Sequence, residues 1–123
     1  MEFNQDKPIY LQITNYICEQ ILKQTWQENE RIPSVRNLSV DLAVNPNTIM
    51  RAYEQLDKFE IIFNKRGIGF FVQPNANKNI KILYRKEFLE DELPSVFQKM
   101  ELLEISMDEI GIQYNMYHHQ SSL

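Results

Sequence analysis

The chain holds few residues that would brace a fold covalently or loosen it. Its 123 residues include one cysteine (Cys18), one tryptophan, two histidines and three glycines. A single cysteine excludes an internal disulfide framework and any multi-cysteine zinc site. Cys18 therefore reads as a small packing residue of the first helix. No apolar run approaches the roughly 20 residues that cross a bilayer. The opening residues 1–6 lack the basic and apolar segments of a secretory signal, so a reducing cytoplasm is the expected location. Cations are also scarce, with 13 Lys/Arg against 17 Asp/Glu and a net charge of −4. No nucleophile–base pair, phosphate-cradling loop or metal-ligand spacing is present. No catalytic site, metal or cofactor is expected, and His118 and His119, being adjacent, diverge on a helix.

What is present is ordinary globular composition, 43% hydrophobic, with uneven charge. Residues 1–75 carry eight Lys/Arg and nine Asp/Glu, whereas residues 76–123 carry five and eight. The acidic excess thus lies mainly in the C-terminal part. Prolines mark the segments. Pro8 suits the first position of a helix whose apolar stripe is Ile9, Ile13, Ile17 and Ile21, widened by Tyr16 and Leu22 and fading near Gln24 to Trp26. A polar connection follows, and Arg31-Ile32 has the character of a very short strand. Pro33-Ser34 opens a second helix with Ser34 as its cap and Val35, Leu38 and Leu42 on one side. Ala43-Val44 makes a turn, and Asn45-Pro46 opens a third helix. Its inner face is Ile49, Ala52, Tyr53, Leu56 and Phe59, which leaves Asn47, Thr48, Met50, Arg51 and Glu54 outward.

Ile61–Phe63 and Phe70–Val72 favour strands and are joined by a connection with two glycines, which predicts a β-hairpin. Two short helices about a tight turn, followed by such a hairpin, are a winged helix-turn-helix. The expected fold is mainly α with this one small hairpin, and the DNA-binding domain is expected over residues 1–75. Pro74–Asn77 reads as a linker. A helical pattern resumes at Lys78, is kinked or divided by Pro94, and restarts at Ser106, where Ser106 and Glu109 match a capping box. Residues 78–117 form the expected helical tail, with residues 118–123 frayed.

A helix offered to a major groove needs short polar side chains at its N-terminal end. Asn45, Asn47 and Thr48 meet that need, and free backbone N–H groups there would accept a phosphate. Arg51 lies one turn further in, within reach of a guanine or a backbone oxygen, or of Glu54 and Asp57 on its own helix. Arg36, two residues after its helix cap, is placed for a phosphate. Lys65 and Arg66 flank the wing tip at Gly67, where a cation can border the minor groove.

With these residues the chain resembles the GntR family of transcription regulators. The resemblance rests on Ile32-Pro33-Ser34-Val35-Arg36, on Leu38, Leu42 and Val44, on Thr48, Arg51-Ala52-Tyr53 and Leu56, and on Arg66-Gly67-x-Gly69-x-Phe71-Val72. Pro8-Ile9-Tyr10-x-Gln12-Ile13 and Asn45-Pro46-Asn47-Thr48 are similar to the YtrA-type subfamily, which carries only a short helical tail. The resemblance implies a homodimer on a double-stranded, palindromic operator, touching DNA through Arg36, Asn47, Thr48, Arg51 and Gly67. It also implies a repressor, with a neighbouring transporter operon as its target. Two departures stand out: many members have arginine where this chain has Pro46 and Met50. Ala43 stands where many helix-turn-helix proteins have glycine.

The 46 residues that follow the linker are too few to enclose a metabolite pocket of several hundred Å3. Leu83, Tyr84, Phe88, Phe97, Met100 and Leu103 would instead form a dimerisation face, unless the tail packs on its own DNA-binding domain. The sequence marks no site for a small-molecule effector, which leaves the dimer interface as the place for one. Two other classes compete with a DNA regulator. An adaptor whose winged helix binds protein has no need of cations at Arg36, Arg51, Lys65 and Arg66 together. An enzyme lacks any visible catalytic set.

Overall fold

Four of the five prolines sit at or beside helix starts. The computed structural model describes residues 1–3 and 6–121. Pro8 caps α1 (Ile9–Leu22) rather than starting it. Pro33 precedes the Ser34 cap of α2 (Val35–Leu42), where the Ser34 hydroxyl accepts the Asn37 N–H at 3.1 Å. Pro46 is the first residue of α3 (Pro46–Lys58). The hairpin strands β1 (Ile62–Lys65) and β2 (Gly69–Val72) pair antiparallel, Ile62 opposite Val72 and Lys65 opposite Gly69. Then come α4 (Ala76–Glu87), α5 (Leu93–Leu103) and α6 (Met107–Ser121). The mainly helical fold with one small hairpin is therefore as the sequence predicts.

The chain divides into two compact units, Met1–Leu83 and Tyr84–Leu123. In the first, α3 packs against α1, α2 and β1. Ile13, Ile17, Ile21, Ile49, Leu56, Ile61 and Val72 are sealed from solvent, and Tyr53 lies among them. The Tyr53 ring meets Phe70 edge-on at 4.9 Å, and its hydroxyl donates to the Pro33 carbonyl. The inner face of α3 is thus fastened to the start of α2. Phe59 departs from the expected stripe. It caps α3 with 40% of its surface exposed, because the helix ends before that position turns inward.

The segment before α2 lines the hairpin. Asn29 N–H donates to Val72, Val72 N–H to Glu30, and Ile32 N–H to Phe70, each at 2.8–2.9 Å. Arg31 pairs opposite Phe71, so the short strand expected at Arg31-Ile32 is a single bridge.

Pro74–Asn77 is not a linker throughout: α4 already starts at Ala76. Ala76 and Ile80 are fully buried, and the Asn79 amide donates to the Glu60 carbonyl at 2.8 Å. Burial of that first turn holds it in the first unit, which ends at Leu83 rather than at residue 75.

In the second unit, residues 88–92 form one wide π-helical turn in which Leu93 N–H donates to the Phe88 carbonyl. Pro94 follows at the second position of α5. Having no N–H and a bulky ring, it is accommodated by widening the preceding turn rather than by a break. The Ser106 hydroxyl accepts the Glu109 N–H at 3.2 Å, which gives half of the expected capping box. Helix α6 runs on to Ser121, past the Tyr117 end predicted from sequence, and the Ser121 hydroxyl donates back to the His118 carbonyl at 3.0 Å. Residues 118–121 are therefore helical; the remainder of the expected frayed segment, Ser122 and Leu123, lies outside the described residues. Among the described residues, no helix is long and apolar enough to cross a membrane.

Candidate nucleic-acid interface

The turn between α2 and α3 aims the tip of α3. Ala43 takes the left-handed conformation, φ 55° and ψ 47°. Its N–H reaches the Val40 carbonyl at 3.3 Å, and Val44 N–H reaches the Ser39 carbonyl at 3.0 Å, closing a Schellman motif. The Ser39 hydroxyl donates to the Val44 carbonyl, which locks the same turn a second time.

At the tip, the Asn45 side-chain oxygen accepts the Asn47 N–H at 2.8 Å, and Thr48 N–H donates to the Asn45 carbonyl at 3.0 Å. Pro46 has no N–H. The cradle of free backbone donors expected at this end is therefore not formed, because proline and the cap between them use it up. What the tip does offer is side chains. Asn47 and Arg51 are exposed and Thr48 half-buried. All three line one open notch of about 400 Å3 together with Pro8, Ile9 and Tyr10 of the first-helix start. The Arg51 guanidinium lies 3.8 Å from the centroid of the Tyr10 ring. Among the described residues it forms no ion pair with Glu54 or Asp57.

Arg36 is exposed on the first turn of α2. The wing turn is closed by Ile68 N–H on the Lys65 carbonyl at 2.9 Å, with Gly67 at φ 80°. A Cβ on Gly67 would meet nothing within 4 Å, so its demand is conformational. Lys65 Nζ sits 4.9 Å over the Phe71 ring, which stacks on Phe63 at 5.6 Å. Arg66 is exposed beside it.

Two residues escape a reading by sequence spacing. One is Tyr10, 41 positions from the arginine it supports. The other is Arg31, whose guanidinium lies across Gly69 so tightly that a Cβ there would come 2.8 Å from Nε. The Ile-Pro-Ser-Val-Arg motif directly after Arg31 and the paired wing glycines were the available signals. Burial pushes the Tyr53 phenol well above its ordinary value. Among the described residues, no group of three His, Cys, Asp or Glu could hold a metal ion.

Of the expected dimerisation residues, Phe88, Phe97 and Leu103 are 43–61% exposed, and Leu83 and Tyr84 are half-buried. Met100 is only 8% exposed, so it is already covered within the chain and adds little to an open face.

Known proteins share this arrangement. The pattern of bacterial regulatory proteins, gntR family, matches residues 9–72. The HTH-type transcriptional regulator YhcF of Bacillus subtilis is 34% identical over 91 residues, spanning 72% of this chain and 75% of that one. The HTH-type transcriptional repressor YtrA of the same organism is 29% identical over 111 residues, 90% of this chain and 79% of that one. A crystal structure of a GntR-family regulator from Bacteroides thetaiotaomicron superposes with a TM-score of 0.81 at 44% identity, covering 93% of this chain and 99% of that one. The AraR DNA-binding domain, solved in complex with an operator, superposes at 0.53 with 26% identity over 58% of this chain and 84% of that one. With the outward tip of α3 and the glycine wing already in place, the chain belongs to the GntR family as a DNA-binding transcriptional regulator.

Proposed function

We propose that this chain is a sequence-specific repressor that binds a palindromic operator as a homodimer. The observation that carries the reading is the open notch where Asn47, Thr48 and Arg51 face outward from a helix whose other side is sealed in the core. Thr48 and Asn47 read base edges, and Arg51 reads a guanine. Arg36 holds a phosphate. Lys65, Arg66 and Gly67 follow the backbone beside the minor groove. Asn45 sets the geometry through its cap and meets DNA only at its amide nitrogen.

Repression is favoured by the 29% identity to the repressor YtrA, and the subfamily resemblance favours a transporter operon as the target. A homodimer is favoured by the apolar surface of the second unit, where Leu89, Phe97, Leu103, Ile112 and Tyr117 are 43–70% exposed. Such a surface is costly in water without a partner, and an interface between identical copies covers it on both. Few cations per subunit also make two copies on one site the natural route to affinity.

The test is selection of bound duplexes from a random pool, with sedimentation of the same protein. The expected result is an enriched inverted repeat and a dimer at micromolar concentration. An unenriched pool would overturn sequence readout, and a monomer well above micromolar concentration would overturn the dimer.

A further inference from the structure

We propose that Tyr10 is a positioning residue for operator recognition: its ring holds the Arg51 guanidinium ready for a base. This rests on the reading of Arg51 as a base contact. Tyr10 is the second residue of α1, and the start of that helix and the tip of α3 border the same notch. The guanidinium carbon sits 3.8 Å above the ring centroid, a face-on cation–π contact. A guanidinium that stacks on an aromatic ring spends only its flat face on the contact. Its N–H donors lie in the plane and stay free for the paired acceptors of guanine.

A free arginine side chain has many rotamers, and fixing them opposes binding. The tyrosine ring settles much of that before DNA arrives. With no ion pair to Glu54 or Asp57 among the described residues, the ring is the contact that defines where this arginine points. Pro8 and the α1 core residues Ile13 and Ile17 fix the ring in turn, since they set where the first turn of α1 lies.

The experiment measures Tyr10→Leu, Tyr10→Phe, Arg51→Ala and the Tyr10→Leu/Arg51→Ala double variant on the selected operator and on random duplex. Tyr10→Leu should weaken operator binding about 5- to 30-fold with little change on random DNA. Tyr10→Phe should bind as the native chain does, because the ring is retained. The double variant should bind no worse than Arg51→Ala alone. Melting curves check folding, and Tyr10→Gln replaces the leucine variant if that one melts early. Native-like operator binding by Tyr10→Leu, equal losses on both DNAs, or additive losses in the double variant would overturn the role of Tyr10 alone. A native chain with no operator preference would overturn the base-reading role of Arg51 as well.

Discussion

Ser39 grips Val44 through both of its oxygens: its carbonyl accepts the Val44 N–H and its hydroxyl donates to the Val44 carbonyl. This double clasp sets the angle between α2 and α3. Ser39→Ala leaves the half-buried Val44 carbonyl without that donor. Allowing for the better helix propensity of alanine, stability should fall by about 0.5–1.5 kcal/mol. Urea unfolding would register a lower midpoint at unchanged slope.

Ala43 holds a left-handed backbone at φ 55° in the same turn, where glycine suffers no Cβ penalty. Ala43→Gly should raise stability by about 0.5–1 kcal/mol, the gain being trimmed by the greater freedom of the unfolded glycine chain. A thermal melt showing no rise would mean the turn bears its alanine without strain.

The two arginines of the α2–α3 unit should separate by the kind of DNA they distinguish. Arg36→Ala should weaken operator and random duplex about equally and lower the salt slope by about 1. Arg51→Ala should cost roughly 1–3 kcal/mol on the operator with little effect on random duplex. Anisotropy titrations over a salt series would measure both, and equal losses for Arg51→Ala would remove its role in reading a base.

Tyr53 makes stability sensitive to alkali. Its buried hydroxyl resists ionisation, whereas in the unfolded chain a phenol ionises near 10. Above that pH the unfolded state holds fewer protons than the folded one, so stability declines as pH climbs through about 10. Tyr53→Phe should be less stable at neutral pH by about 1 kcal/mol, having lost the bond to Pro33. It should also lose less stability than the native chain between pH 8 and 11. Parallel slopes for the two proteins would show that other groups govern the alkaline limb.

Local chemistry announced most of the fold. Asn45-Pro46 and Ser34 act within three residues of themselves, and the isoleucines at every fourth position of α1 need only a helix to align them. Ile9 already shows the limit: it continues that stripe yet is 45% exposed, because the stripe outruns its partner at the notch. The start of α4 is not legible locally, because Pro74 and two asparagines signal a turn, while burial of Ala76 and Ile80 is decided by the rest of the unit. The candidate site divides the same way. Arg51 and the wing cations stand out by type and position. The ring beneath Arg51 and the guanidinium across Gly69 are meetings of distant segments, which no spacing records.

The bridge at Arg31 also bears on how copies of this protein behave when crowded. Residues 29–32 occupy the flank of β2, so a neighbouring molecule finds its hydrogen-bonding groups already taken. In β1 the exposed residues are Asn64 and the charged Lys65. A margin that carries charge resists being extended by a foreign strand.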